Sequence, residues 1–176
     1  MRKLIDYIKR FVLCGIILSS AVLNAQTYIA KEDPMVIEDE ILTQSTLENL
    51  GILTVPNPRN DELTENEVFL KQIGDINEAN IKTQTQFSEI NLTQLGNGNN
   101  ADIDYRVNTA VADILQLGNY NSVKDYVNQP SADISLDLNQ EGNFMQFERQ
   151  GVNDLTKSLK FEQTSATPYI IIRSFY

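Results

Sequence analysis

Five glutamines recur along this chain at a nearly fixed interval, with steps of 22, 22, 24 and 23 residues between them. Each glutamine follows one apolar residue by four positions and another by two positions. In the first four units a glycine stands two positions after the glutamine. A period near twenty residues is typical of stacked structural repeats rather than of one globular core. The glutamines are Gln72, Gln94, Gln116, Gln140 and Gln163, and the turn glycines are Gly74, Gly96, Gly118 and Gly142.

Within each unit apolar and polar residues alternate, a pattern that predicts β-strands. In the second unit Ile90, Leu92 and Gln94 share one face of a predicted strand, and alternation resumes after the turn signal at 97–99. Glycine and asparagine tolerate the positive φ angles that such turns require. The sequence therefore predicts an all-β fold, a β-solenoid of about five stacked, hairpin-shaped strand-turn-strand repeats over residues 67–176.

The glutamines lie on the same strand face as leucine and isoleucine, so we expect their amides to point inward. A buried amide costs free energy unless its hydrogen bonds are made. Stacking the repeats ~4.8 Å apart would let each amide bond to the equivalent amide above and below. We therefore predict a ladder of the five glutamines. A second amide ladder is predicted for the asparagines five positions further on, Asn77, Asn99 and Asn121.

One predicted inward column carries two charged residues among isoleucines. Asp125 and Arg149 each stand nine positions after a key glutamine, on neighbouring repeats. Our hypothesis is an inward salt bridge between them, because an isolated buried charge would be costly. The alternative is a local slip that turns Tyr126 inward and leaves Asp125 in solvent.

The first 25 residues read as a secretory signal peptide, with basic residues followed by an apolar stretch at 11–18. That stretch is too short to span a bilayer, so we expect no membrane span in the mature chain. Residues 26–66 are acidic and contain three prolines, which predicts a flexible segment. It would serve as a solvated linker or as an export address. Nothing in the sequence indicates a polar cap at either end of the solenoid.

The composition excludes several kinds of function. The chain has no histidine, and its single cysteine, Cys14, lies in the expected signal peptide. Disulfides, Cys/His zinc sites and histidine-dependent catalysis are therefore excluded for the mature chain. A net charge of -10 disfavours nucleic acid as a partner. We expect no catalytic residues, no cofactor and no metal site, and hence no enzyme.

The repeated residues resemble the curlin repeat Gln-x-Gly-x-x-Asn-x-Ala of bacterial curli amyloid subunits. Residues Gln72–Ala79 and Gln94–Ala101 match it in full, and Gln116–Val123 departs only at its last residue. The fourth unit keeps the glutamine and glycine, and the fifth keeps only its glutamine. The family's second internal glutamine is missing throughout. Its positions are occupied by Thr83, Tyr105, Val127 and Gly151.

The resemblance implies a secreted structural subunit of extracellular amyloid fibres, used in biofilm matrix and cell adhesion by a bacterium with an outer membrane. It implies polymerisation with itself or with other curlin subunits, and export through the outer-membrane curli secretion pore with residues 26–66 as the address. The acidic segment before the repeats and the divergent last repeat look closer to the minor, nucleating subunit than to the major one. The alternative is a secreted β-solenoid that stays monomeric and acts as an adhesin or ligand-binding protein.

Overall fold

The structure is a computed structural model that describes residues 35–38 and 42–174. The expected signal peptide, residues 1–25, lies outside the described residues. Nine strands, one short α-helix and one 3-10 helix make up the described part. The strands are β1 Met35–Glu38, β2 Asn66–Ile73, β3 Glu78–Ala79, β4 Phe87–Leu95, β5 Asn100–Leu117, β6 Ser122–Glu141, β7 Gln146–Gln150, β8 Ser158–Gln163 and β9 Tyr169–Arg173. Helix α1 spans Gln44–Asn49, and the 3-10 helix spans Pro58–Asp61.

The strands form five stacked rungs, which confirms the β-solenoid. Successive rungs pair in parallel with equivalent residues in register, from β2 through β4, β5 and β6 to β8 on one side. The other side runs from β3 through β5, β6 and β7 to β9. Strands β5 and β6 are long because each bends around a corner and contributes to two rungs.

The hairpin-shaped unit of the sequence analysis needs one correction. In a hairpin the two strands hydrogen-bond to each other in antiparallel fashion. Here the strands on either side of each turn pair with neighbouring rungs instead. Because their inward side chains face each other across the core, they form two opposing walls joined by an arch.

The longest step in the glutamine spacing, the 24 residues from Gln116 to Gln140, has a local origin. Strand β5 pairs with β6 at a constant offset up to Val107↔Gln129, and then resumes at Thr109↔Asp133. The extra residues lie at the corner around Pro130, where an insertion leaves the pairing of both walls intact. Corners and loops absorb the irregularity in length, so the inward columns stay in register.

The turn glycines are required by close packing between rungs. Gly118 has φ of +120°, and a methyl group placed on it would lie 1.9 Å from the carbonyl oxygen of Gly142 in the next rung. Gly74 and Gly96 meet the following glycine carbonyl in the same way. A methyl group on Gly142 would meet only the flexible end of Met145, a residue of the same turn. The glycine column therefore ends where stacking of identical turns ends.

Part of the segment before the repeats is folded onto the solenoid, which the expectation of a flexible segment did not foresee. Leu42, Leu47 and Ile52 are buried and belong to the same hydrophobic cluster as the solenoid core. Strand β1 pairs in parallel with β9, and Leu53 forms an antiparallel bridge with Lys160 of β8. The expectation that neither end is capped is wrong for the last rung. Sequence periodicity could not reveal this cap, because the capping residues occur once.

The glycine column generates a stability prediction. We expect Gly118→Ala to lower the free energy of unfolding by about 1–3 kcal/mol more than Gly142→Ala, since only the former forces a side chain onto a backbone carbonyl. Both glycines have positive φ, so the backbone strain of alanine is common to the two variants and cancels in the comparison. Urea denaturation of the monomer measures the difference. Equal losses would contradict the close-packing explanation.

Candidate functional site

The inward glutamines form one continuous ladder through all five rungs. The side-chain Nε2 of Gln72 donates to Oε1 of Gln94 at 2.6 Å, and Gln94 donates to Gln116 at 2.7 Å. Gln116 donates to Gln140 at 2.9 Å, and Gln140 donates to Gln163 at 2.8 Å. All of these bonds point the same way, from each rung to the following one.

Each interior glutamine also makes a second bond, to the backbone. Gln94, Gln116 and Gln140 each donate to a carbonyl at the start of the strand after a turn, at 3.0–3.2 Å. Their side chains are fully buried. An amide nitrogen has two protons, so both donors are used and the buried group carries no unsatisfied N–H. The ladder therefore ties each rung to the opposite wall of the preceding rung as well as to the equivalent glutamines of its neighbours.

The asparagines Asn77, Asn99 and Asn121 form a column, but not the predicted ladder of side-chain amides. Oδ1 of Asn77 accepts from the backbone N–H of Asn99 at 2.9 Å, and Asn99 and Asn121 repeat the contact at 3.0 Å. Their Nδ2 groups donate to the turn-glycine carbonyls of the next rung, at 2.8–2.9 Å. The amide of an asparagine is one methylene closer to its own backbone than that of a glutamine, which places it against the main chain of the neighbouring turn. This column stabilises the turns.

A further column of asparagines was not foreseen. Oδ1 of Asn97 accepts from the backbone N–H of Asp75 at 2.8 Å. Asn119 and Asn143 make the equivalent contacts to Asn97 and Asn119, at 2.9 and 2.8 Å. The signal was present in the sequence, because these residues all stand three positions after a key glutamine.

Asp125 and Arg149 lie opposite each other on neighbouring rungs, and both side chains are fully buried. Nε of Arg149 lies 2.6 Å from Oδ1 of Asp125, and Nη2 lies 2.7 Å from Oδ2, a bidentate pair. Nη1 donates to the carbonyls of Ser135 and Thr156. The slipped arrangement does not occur, since Tyr126 points outward and donates its hydroxyl proton to Asp102 at 2.6 Å.

Tyr105, at one of the positions where the curlin pattern has a glutamine, completes this buried network. Its hydroxyl donates to Oδ2 of Asp125. Burial raises the pKa of Tyr105 well above its usual value, and the neighbouring Asp125 carboxylate raises it further. Burial alone would lower the pKa of Arg149, but the charge and hydrogen bonds of Asp125 outweigh it and the net shift is upward. Tyr105 is thus held neutral and Arg149 charged.

The two ends of the ladder differ. At the last rung Gln163 is fully buried, and its Nε2 turns to the carbonyls of Gln146, Thr167 and Pro168 at 2.9–3.0 Å. At the first rung Gln72 is exposed, and among the described residues nothing donates to its Oε1. The chain therefore presents a free acceptor at one end and closes the other with its own backbone.

The first rung is also open along its strand. Strand β2 is the last in the sheet order of the described residues, so no described strand pairs with the backbone groups on its outer edge. Val68 and Leu70, which lie in the inward columns, are 49% and 50% exposed. The equivalent residues of the last rung, Leu159 and Phe161, are 1% and 5% exposed. The open strand edge and the exposed apolar side chains thus lie together at the first rung.

The described residues contain no group of three His, Cys, Asp or Glu side chains that could hold a metal ion. Within residues 35–38 and 42–174, no helix has both the length and the apolar character needed to cross a bilayer. Comparison with protein-family models, with curated proteins and with solved structures gives no match. The fold thus defines the chain as a β-solenoid with an internal amide ladder.

The buried ion pair generates a prediction in which each charged side chain is replaced by an apolar one. Asp125→Ile and Arg149→Met should each lower the free energy of unfolding by about 3–5 kcal/mol, because each leaves one buried charge without its partner. The double variant should lose much less than the sum of the two, as no buried charge remains. Chemical denaturation of the four chains gives the coupling energy.

The control for this cycle is the ion pair between Lys160 and Asp137. Its atoms also lie 2.6 Å apart, but the side chains are 64% and 42% exposed. Exposed pairs contribute about 0–1 kcal/mol, so this second cycle should show little coupling. Equal coupling in both pairs would contradict a special role for burial at Asp125 and Arg149.

Proposed function

We propose that this chain is a structural subunit of secreted, curli-type amyloid fibres, and that it acts by adding its rungs to those of another subunit. The observation that carries the proposal is the open first rung. An exposed strand edge, two half-exposed apolar side chains and an unused glutamine acceptor all face the same way. Parallel, in-register stacking with amide ladders is the arrangement that makes cross-β fibres stable.

Addition in the same register would continue the glutamine column and the apolar columns beside it. A second copy placed with its first rung on the last rung of this chain brings Val68 above Leu159, Leu70 above Phe161 and Gln72 above Gln163. The free Oε1 of Gln72 then faces Nε2 of Gln163, which exchanges its bonds to the carbonyls of Thr167 and Pro168 for one in the direction that all four internal bonds take. Apolar residues meet apolar residues, and the ladder runs from one chain into the next.

The resemblance to the curlin repeat supports the rest of the proposal. It adds secretion through an outer-membrane pore, a place in the biofilm matrix and a role in adhesion. Within that family the proposal extends to the minor, nucleating subunit, because the fifth repeat has lost the glycine and asparagine of the first three turns. Nucleation is tested by seeding: fibre fragments of this chain should remove the lag of a partner curlin subunit, and failure to do so leaves the role of a fibre subunit only.

The covered last rung favours a second candidate. With Leu159, Phe161 and Gln163 buried by the chain itself, only one end is free to pair. A β-solenoid closed at one end could remain monomeric and act as an adhesin or ligand-binding protein. The two candidates differ in whether the purified chain forms fibres or stays monomeric in solution.

Fibre formation by the purified chain without its signal peptide decides between them. We expect a lag followed by thioflavin-binding fibres with a meridional reflection at about 4.7–4.8 Å. A persistent monomer with one cooperative melting transition would contradict the fibre proposal and favour the adhesin.

A matched pair of variants links assembly to the open edge. Leu70→Glu places a charge in an inward column that a docking rung would bury, so it should abolish fibre growth. Phe69→Glu changes the neighbouring residue, which is exposed to a similar extent, 55% against 50%, on the opposite face of β2. Its fibres should grow at close to the wild-type rate or faster, since the position stays in solvent and lies in the column of Lys160, which carries the opposite charge. Equal rates for the two variants would show that the edge of β2 is not the site of addition.

A further inference from the structure

The last rung of the solenoid is covered by two described segments from an earlier part of the chain, residues 35–38 and 42–53, which together we call the strap. Its strand β1 pairs in parallel with β9 over four residues, from Met35↔Ile170 to Glu38↔Arg173. Ile170 itself is in register with Phe147 of the preceding rung. The backbone of β1 therefore occupies the place of one strand of a sixth rung.

The strap continues across the end of the solenoid to the other wall. After β1 beside β9, the described chain resumes at Leu42, forms α1, and reaches β8, where Leu53 and Lys160 exchange two backbone hydrogen bonds at 2.9 Å. Leu42, Leu47 and Ile52 are buried along this path, Leu47 and Ile52 completely. Their side chains take the place that the core residues of another rung would fill.

The exposure of the inward side chains at the two ends shows how much the strap covers. Leu159, Phe161, Ile170 and Ile172 of the last rung are 0–5% exposed, whereas Val68 and Leu70 of the first rung are about half exposed. Both ends present inward columns with the same alternation of apolar residues. The covered face of the last rung is therefore an apolar docking surface with an occupant already on it.

The open first rung of a second copy fits this face in shape, and its charges give one attraction and one repulsion. Besides the apolar and glutamine columns, it would bring Lys71 above Glu162, which lie in one column and carry opposite charges. Lys82 would come above Arg173, a like-charge contact. Lys82 is 60% exposed, so water and salt weaken the repulsion.

We propose that the strap is an intramolecular occupant of the assembly face, and that its release admits the first rung of a second copy. This inference rests on the proposed function, because it concerns the same stacking surface. The strap has the advantage of high effective concentration, being part of the same chain. A second copy has the advantage of extent, since it offers the eight residues of β2 in addition to β3 where the strap offers four paired residues and one bridge. The strap therefore holds the isolated chain closed and yields at high chain concentration or on a preformed end.

Leu47→Asp tests the proposal, with Ser45→Asp as its matched control. Both variants add one negative charge to α1, but Leu47 is completely buried and Ser45 is exposed. Leu47→Asp should shorten the fibre lag by roughly tenfold or more, because it removes a fully buried leucine from the docked strap. Ser45→Asp should leave the lag unchanged.

Strap release is measured separately in the freshly prepared monomer, by amide hydrogen exchange across Tyr169–Arg173, the strand that pairs with β1. Leu47→Asp should speed exchange there while the amides of β4 and β5 stay protected, which shows that the solenoid remains folded. Unchanged exchange in β9 would contradict the docked strap. Faster exchange with an unchanged lag would overturn the gating role while leaving the fibre proposal intact.

A peptide of residues 33–55, added to the Leu47→Asp chain, gives a test that does not depend on comparing two folded variants. It should restore the long lag by reoccupying the last rung, and the same peptide carrying Leu47→Asp should not. No effect of either peptide would contradict the proposal. If neither the wild-type chain nor the Leu47→Asp chain forms fibres at any concentration, the proposed function itself fails.

Discussion

A buried side-chain amide is stable in this core because the next rung presents another amide at hydrogen-bonding distance. That requirement fixes the register of the whole solenoid. A slip of one residue would move Gln94, Gln116 and Gln140 out of line and turn their apolar neighbours to solvent. The turn glycines and the asparagine columns act on the same spacing, because each bonds or packs against the equivalent turn of the adjacent rung. Register is thus specified repeatedly, by side chains on the walls and by backbone groups at the turns.

A stack of this kind has two ends, and in this chain one is open and the other is covered. The first rung leaves its strand edge, its apolar columns and its glutamine acceptor open. The last rung turns Gln163 onto its own loop and is covered by the strap. Natural sheets usually block exposed edges, since an open edge is a template for another chain. Under the proposed function, blocking only one end would leave one face ready for addition while the other must first be uncovered.

The repeated features could be predicted from the sequence, and the features that occur once could not. Period and alternation predicted the β-solenoid, the glutamine column and the register that brings Asp125 beside Arg149. The period locates a column but does not say which atoms bond within it. The sequence therefore could not reveal that Asn77 and Asn99 bond to backbone groups instead of amide to amide. The strap has no period, and its acidic, proline-containing composition hides the few apolar residues, such as Leu47, that dock it.

The measurement that tests this account most directly is the hydrogen exchange of the side-chain amides of the glutamines, followed by NMR in the monomer. An aligned ladder with one open end predicts strong protection for Gln94, Gln116, Gln140 and Gln163, which are buried and doubly bonded, and fast exchange for Gln72 at the exposed edge. Rapid exchange at all five positions, or equal protection that includes Gln72, would contradict a continuous internal ladder that is open at the first rung.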